Sequence, residues 1–228
     1  MELHPFIKSV IAGCALSASL FAPLAHAVPT AYTDRTAFDT GVAALPAGTV
    51  VSTLNFDSLA AGTLIASGSG AGGITFTYGF GGVSLNVGAG YSTTSGANFL
   101  GTDDGDILQD GDDFNLFFAP KHAIGMYFIS ADTLFDGDIT LAGGGGSASL
   151  LVADLQQTLS DGSSVFFLGL VDAAATFTSA DVTTHGGGGA FLYNVDDIVT
   201  AGPQALPVPG TLALLGLGLT ALWGLRPR

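Results

Sequence analysis

Ile74-Thr75-Phe76-Thr77-Tyr78 alternates apolar and polar side chains. A period of two places the apolar residues on one face of a half-buried strand. A second stretch, Phe166-Phe167-Leu168-Gly169-Leu170-Val171, is unbroken apolar chain and predicts a central strand. Working outward, similar short runs rich in β-branched and aromatic residues recur at 50–56, 83–87, 114–118, 124–129, 139–141, 148–153 and 191–199. Gly, Ser, Asp and Asn clusters separate them, including the turn dipeptides Asp136-Gly137 and Asp161-Gly162. With no helices between the strands, the pattern predicts an all-β fold, an antiparallel β-sandwich or jelly roll spanning residues 28–205. One helix is expected, near the start, where Thr33 or Asp34 caps a turn carrying Phe38 and Val42 four residues apart.

Glycine is abundant, at 34 of 228 residues. The tracts 143–146 and 186–189 read as flexible loops. Gly68-Ser-Gly70-Ala-Gly-Gly73 matches Gly-x-Gly-x-x-Gly in form. It opens into a strand, so no helix N-terminus is available for a pyrophosphate, and it too reads as a surface loop.

Charge narrows the function classes. Five Lys+Arg oppose 19 Asp+Glu, a formal net charge of −14. Only Arg35 and Lys121 are basic between residues 28 and 205, against eighteen aspartates and no glutamate. A phosphate backbone would find nothing to neutralise it, which excludes nucleic acid as a partner. Aspartate favours turns and helix caps, so part of this bias follows from a loop-rich β fold.

The two ends differ in kind from the middle. Lys8 precedes an apolar run, 9–24, that closes with Ala25-His26-Ala27. A positive start, a short apolar core and a small-x-small tripeptide predict a secretory signal peptide over 1–27, cleaved after Ala27. Cys14 follows small residues as in a lipobox, but only 9–13 would then separate it from Lys8, too short for the usual apolar core. Loss of 1–27 removes the only cysteine, leaving no disulfide, thiolate metal site or thiol nucleophile.

At the other end, Leu206-Pro207-Val208-Pro209-Gly210 leads into the uncharged, predominantly apolar stretch 211–225 and then Arg226-Pro227-Arg228. As a helix it would span roughly 22 Å, enough to cross a locally thinned bilayer. Trp223 sits where an interfacial aromatic belongs, and the arginines should stay cytoplasmic. This segment, 206–228, resembles the sorting tail of the PEP-CTERM proteins of Gram-negative bacteria. The resemblance rests on Pro207, Val208, Pro209, Gly210, the Leu/Gly run and the closing Arg226 and Arg228. The family's glutamate between the two prolines is Val208 here. The resemblance implies export by the Sec machinery, anchoring of the precursor in the inner membrane, processing by an exosortase-type enzyme, and association with the exopolysaccharide of a biofilm.

Asn55-Phe-Asp57-Ser-Leu and the run 191–199 resemble the first and last strands of jelly-roll ectodomains and carbohydrate-binding-module-like domains. That resemblance implies that the two ends of the domain pair in one sheet, and a structural Ca²⁺ near Asp57 and Asp196 or Asp197.

The densest acidic run, 103–113, includes Asp104, Asp106, Asp110 and Asp112. Carboxylates so close repel one another unless a cation sits among them, and flexible oxygen-rich loops suit Ca²⁺. It is no EF-hand, since counting from Asp104 puts Leu108 at the fifth position and no Glu at the twelfth. The catalytic inventory is thin. Outside 1–27 there are two histidines, His122 and His185, without His-x-x-x-His spacing, and no Gly-x-Ser-x-Gly. Aspartate pairs suited to glycoside hydrolysis abound, but nothing singles out two. The expectation is a non-enzymatic surface or matrix protein, structural or adhesive. Its competitor is a lectin-like module using Tyr78, Phe80, Tyr91 or Phe99 as a sugar platform, ahead of a secreted glycan-active hydrolase.

Overall fold

The computed structural model describes residues 28–185 and 190–204. The signal-peptide segment 1–27 with Ala25 and Ala27, the glycine tract 186–189 and the sorting segment 206–228 lie outside the described residues. Among the described residues no helix is long and apolar enough to cross a membrane.

Strand occupies 49% and helix 7%, which fixes the all-β class. The strands, β1 to β16 in chain order, form two antiparallel sheets. The first runs β1 (Thr30–Tyr32), β14 (Ser164–Val171), β10 (Ala123–Ser130), β16 (Leu192–Pro203), β7 (Asn98–Thr102), β6 (Leu85–Ala89) and β3 (Leu64–Ile65). Off this path, β13 (Gln157–Thr158) pairs with β14, while β2 (Thr49–Leu54) and β8 (Leu108–Gln109) pair with β16. The second sheet runs β12 (Gly146–Ser149), β11 (Ile139–Gly143), β15 (Phe177–Thr184), β9 (Phe114–Lys121), β5 (Ile74–Tyr78) and β4 (Gly70–Ala71). Both sheets contribute to one core: Phe76, Leu116, Leu141 and Val182 from the second meet Leu100, Phe128, Leu168 and Val195 from the first, all buried.

β16 is the spine of the first sheet. On one side β10 pairs with it from Asn194 to Ala201. On the other side three strands share it: β8 at Leu192–Tyr193, β7 at Val195 and β2 from Ile198 to Pro203. The pairing of β2 with β16 joins the two ends of the domain in one sheet, although the stretch 55–59, whose resemblance to a first strand implied this, is a turn that follows β2.

The outer face of the first sheet carries the helix α1 (Arg35–Ala43). Asp34 caps it, its side chain accepting from Ala37 N–H at 2.7 Å, and Phe38 and Val42 are its buried residues. Phe38 fits because Gly125 and Gly169 stand directly opposite each other in β10 and β14. A Cβ at Gly169 would fall 2.5 Å from Phe38 Cδ2, and one at Gly125 3.1 Å from Phe38 Cζ. The helix therefore covers β14, whose apolar run is buried on both faces.

Three expectations are corrected. The 143–146 tract is a tight hairpin, not a floppy loop: Gly143 pairs with Gly146, and Gly144 and Gly145 have φ of +59° and +86°. Two positive φ values match the twist of the flanking strands. The 68–73 stretch likewise pairs Ala71 with Ile74 across Gly72 and Gly73, at +57° and +81°. The strand expected over 148–153 ends at Ser149, and Val152–Asp154 form a 3₁₀ turn fastened where the Asp136 carboxylate accepts from Val152 N–H.

Gly169→Ala is expected to destabilise the fold by ~1–3 kcal/mol, the usual cost of overpacking, by pushing Phe38 off the sheet. Gly105→Ala, with open space around it, should stay within ~0.5 kcal/mol of the parent. Urea unfolding of the two variants checks the contrast.

Candidate functional site: a loop clasped by carboxylates

The register of β16 against β10 slips at one point. Gly125 faces Val199 and Tyr127 faces Asp196, so Met126 alone opposes both Asp197 and Ile198. This is a β-bulge, and Asp197 takes the left-handed conformation, φ +50°, which aspartate tolerates better than most residues. The bulge presents two successive carboxylates on the outer face, beside Tyr127.

What they hold is the hydroxyl-rich loop Tyr91-Ser-Thr-Thr-Ser-Gly96 between β6 and β7. Asp196 Oδ2 accepts from Thr94 N–H at 3.0 Å, Ser95 N–H at 2.9 Å and the Thr94 hydroxyl at 2.9 Å, and Asp196 Oδ1 accepts from Asp197 N–H. Asp197 accepts from the hydroxyls of Thr94 and Ser95. The far end of the loop is gripped by Asp57, whose Oδ1 accepts from Ala97 N–H at 2.8 Å and Asn98 N–H at 3.1 Å. Asp57 is aimed there by a turn through the fully buried Phe56, itself at φ +61°. Gly96 leaves room for the Asp57 carboxylate, which a Cβ there would meet at 2.0 Å. Ser92 completes the fastening, its hydroxyl donating to Asp161 Oδ2 at 2.6 Å and its carbonyl accepting from Asn194 Nδ2 at 3.1 Å.

Burial raises the Asp196 carboxyl to about 6, with the neighbouring Asp197 charge adding to the rise and the Ser95, Thr94 and Asp197 donors opposing it. The hydrogen bonds from Ser92 and Ser163 hold Asp161, out in solvent, below its ordinary value.

Clefts lie on both sides of the loop. One, of about 580 Å³, is lined by Tyr91, Ser92, Thr93, Leu159, Ser160 and Asp161 among others. The other, of about 560 Å³, lies between Thr94, Asp197, Tyr127, Gln157 and the Arg35 and Asp39 side chains of α1. Tyr91 is half exposed and rests edge-on against the buried Phe99, ring centroids 6.0 Å apart. Arg35 is fixed in place: its Cζ lies 5.6 Å from the Tyr127 ring and 5.5 Å from that of Phe167, and its Nε donates to Asp39 at 2.9 Å. The other aromatics named as platforms face inward, Phe99 fully buried and the stacked pair Tyr78 and Phe80 packed on the core.

The residues expected to bind calcium fall into two places. Asp57 and Asp197 do reach one loop, together with Asp196, and there their oxygens accept from backbone N–H groups and hydroxyls. Asp110 and Asp112 lie in the turn from β8 to β9 and Asp104 in the turn from β7 to β8, where Asp106 folds back over Gly101 and accepts from Asn86 Nδ2 at 2.9 Å. Asp112 accepts from Gln109 N–H at 2.8 Å, and burial pushes its carboxyl up, Asp104 and Asp113 adding to the rise. Its carbonyl accepts from the hydroxyl of Tyr193, whose own titration burial drives well above the ordinary value. Among the described residues no three His, Cys, Asp or Glu side chains converge to hold a metal ion. His122 Nδ1 lies 2.8 Å and 2.9 Å from the carbonyl oxygens of Asp172 and Ala175.

Sequence reasoning missed Arg35, Tyr127 and the clasping role of Thr94 and Ser95. Five hydroxyl-bearing side chains in the six residues 91–96 were the available signal. No protein-family model matches the chain, and no curated protein matches it.

Asp196 binds its proton more tightly in the fold than in the unfolded chain, where it titrates near 3.8. Its contribution is therefore greatest below pH ~4 and is lost as pH rises through about 6, amounting to ~3 kcal/mol at most. Asp196→Asn keeps an acceptor without the charge. Urea titrations at pH 4 and pH 8 should show the variant gaining on the parent by ~2–3 kcal/mol at the higher pH.

Proposed function

We propose that this is an exported, non-enzymatic protein of the Gram-negative cell surface or extracellular matrix, structural or adhesive, whose jelly-roll-like β-sandwich contacts exopolysaccharide. The address rests on the ends of the sequence: the signal-peptide pattern of 1–27 and the PEP-CTERM-like tail 206–228, which makes an exosortase-type enzyme the processing partner and the inner membrane the precursor's anchor.

The contact reading is carried by one observation, the half-exposed Tyr91 ring at the rim of an open cleft lined with hydroxyls and a carboxylate. A sugar ring offers an apolar face to stack on such an aromatic and hydroxyls to bond with such a lining. The Tyr91 ring is braced by Phe99, and the loop beneath is held by Asp57, Asp161, Asp196 and Asp197, so little order has to be gained on binding. Open clefts of this kind suit a long polymer bound weakly at many copies better than a small ligand that must be enclosed. Calcium has a place as a go-between, linking the exposed acidic turn around Asp104 to anionic polysaccharide.

Tyr91→Ala is expected to lower retention on purified exopolysaccharide about tenfold, the equivalent of ~1.4 kcal/mol, with melting unchanged. Equal retention of variant and parent, in calcium and in EDTA, would remove the contact reading. The mass of the mature protein recovered from fractionated cells should lack 1–27 and the tail beyond the Pro207-Val208-Pro209 segment. A cytosolic protein of full mass would remove the address.

A further inference from the structure

Sheet edges are normally blunted, by shortness, charge, proline or a bulge, because an open row of N–H and C=O groups recruits another strand. Most edges here obey that rule through shortness. β1 has three residues, β3, β4 and β13 two each, and β12 four.

β2 departs from it. Its six residues, Thr49-Val50-Val51-Ser52-Thr53-Leu54, pair with β16 along one side, and among the described residues no strand pairs with the other. The strand holds no charge, no proline and no bulge in its register. Val50, Val51, Ser52 and Thr53 are all exposed, Val50 at 43% and Val51 at 52%. Alongside lies an apolar groove of about 410 Å³ lined by Val42, Leu45, Pro46, Ala47 and Val51, with Asp39 at its rim.

We infer that the free edge of β2 pairs antiparallel with β2 of a second copy of this chain. Charge selects this occupant. The domain carries eighteen aspartates, so most ways of bringing two copies together oppose like charges. The two β2 strands bring none together, being neutral from end to end, and leave Asp39 of each copy at the groove rim, outside the paired residues. A two-fold axis makes the strand its own complement, valine and threonine meeting serine, threonine or valine, which are favoured cross-strand partners. The apolar groove beside Val51 gives each copy a surface to cover at the rim of the new pairing.

A six-residue edge with a shallow groove falls below the ~1,200 Å² of a stable interface, so the association is weak and belongs to crowded surfaces where many copies sit side by side. This inference stands on the fold alone and survives if the polysaccharide reading fails.

The test uses the full chain in detergent with Cys14 replaced by Ser. Analytical ultracentrifugation from ~10 to ~500 µM, the range a weak transient pairing calls for, should show a concentration-dependent dimer. Under mild oxidation Ser52→Cys should form a disulfide dimer at least ten times faster than Ser149→Cys, placed on the edge of the other sheet. Val51→Lys and Thr53→Lys, at exposed positions whose melting reports folding, should each return the protein to monomer. A monomer over the whole range overturns the inference, as does covering of the edge by the chain's own terminal residues, which would leave Ser52→Cys no faster than its control. A dimer that persists in both lysine variants places the contact elsewhere and overturns it equally.

Discussion

The structure depends on the pairing of one strand, β16, which alone connects the rest of the first sheet. β10 runs along one side of it, and β8, β7 and β2 divide the other. Serving so many partners constrains its register, since a slip of one residue would turn every apolar side chain to the wrong face. The bulge at Asp197 is the one place where that register breaks. It keeps Val195 and Ile198 in the shared core while Val199 and Ala201 pack beneath α1. The same break delivers two carboxylates to the outer face, so the fold's central constraint and its candidate site are one feature.

A second theme is the use of aspartate as a fastener. Residues 28–228 contain no cysteine, and the ion pair of Arg35 with Asp39 is a local one along α1. Loops are instead held where a carboxylate accepts backbone N–H bonds: Asp34 on Ala37, Asp57 on Ala97 and Asn98, Asp113 on Thr184, Asp132 on Leu192, Asp138 on Phe135 and Asp172 on Ala174 and Ala175. A bond from an amide to an ionised oxygen is roughly twice as strong as one between neutral groups. The acidity that reads in composition as a cation-binding surface is thus in large part internal stitching. At Asp34, Asp138 and Asp172 the short side chain reaches its own turn, which the longer glutamate does less well.

Legibility in the sequence tracked side-chain chemistry. Strands such as β5, β9, β10 and β14 announced themselves through Ile, Phe and Val, and α1 through Asp34, Phe38 and Val42. β15 went unseen because its buried positions are Phe177, Ala180, Val182 and Thr184, spaced among Thr, Ser and Asp, so its alternation is faint. β7 was hidden by the glycine and asparagine in Asn98-Phe-Leu-Gly-Thr102. Tyr91, Asp57 and Asp197 were singled out beforehand and do lie on or against one loop. What no sequence pattern marks is the set of donors they meet there: main-chain amides of Ala97 and Asn98 for Asp57, and the Thr94 and Ser95 hydroxyls for Asp197. Arg35 and Tyr127 meet across 92 positions through the packing of α1 on β14, a contact no local pattern contains.

The place of β16 in the order of synthesis has a consequence of its own. It is the last strand of the described domain to be made, yet β2, near the start, finds its partner only there, and β10, already beside β14, is still missing its second neighbour. Pairing across so many intervening residues is slow to close. A nascent chain shorter than this therefore has no way to complete its first sheet, and the domain assembles as a whole only after residue 203 has emerged. Until then β2 has no strand to pair with, and the first sheet stays open at its middle.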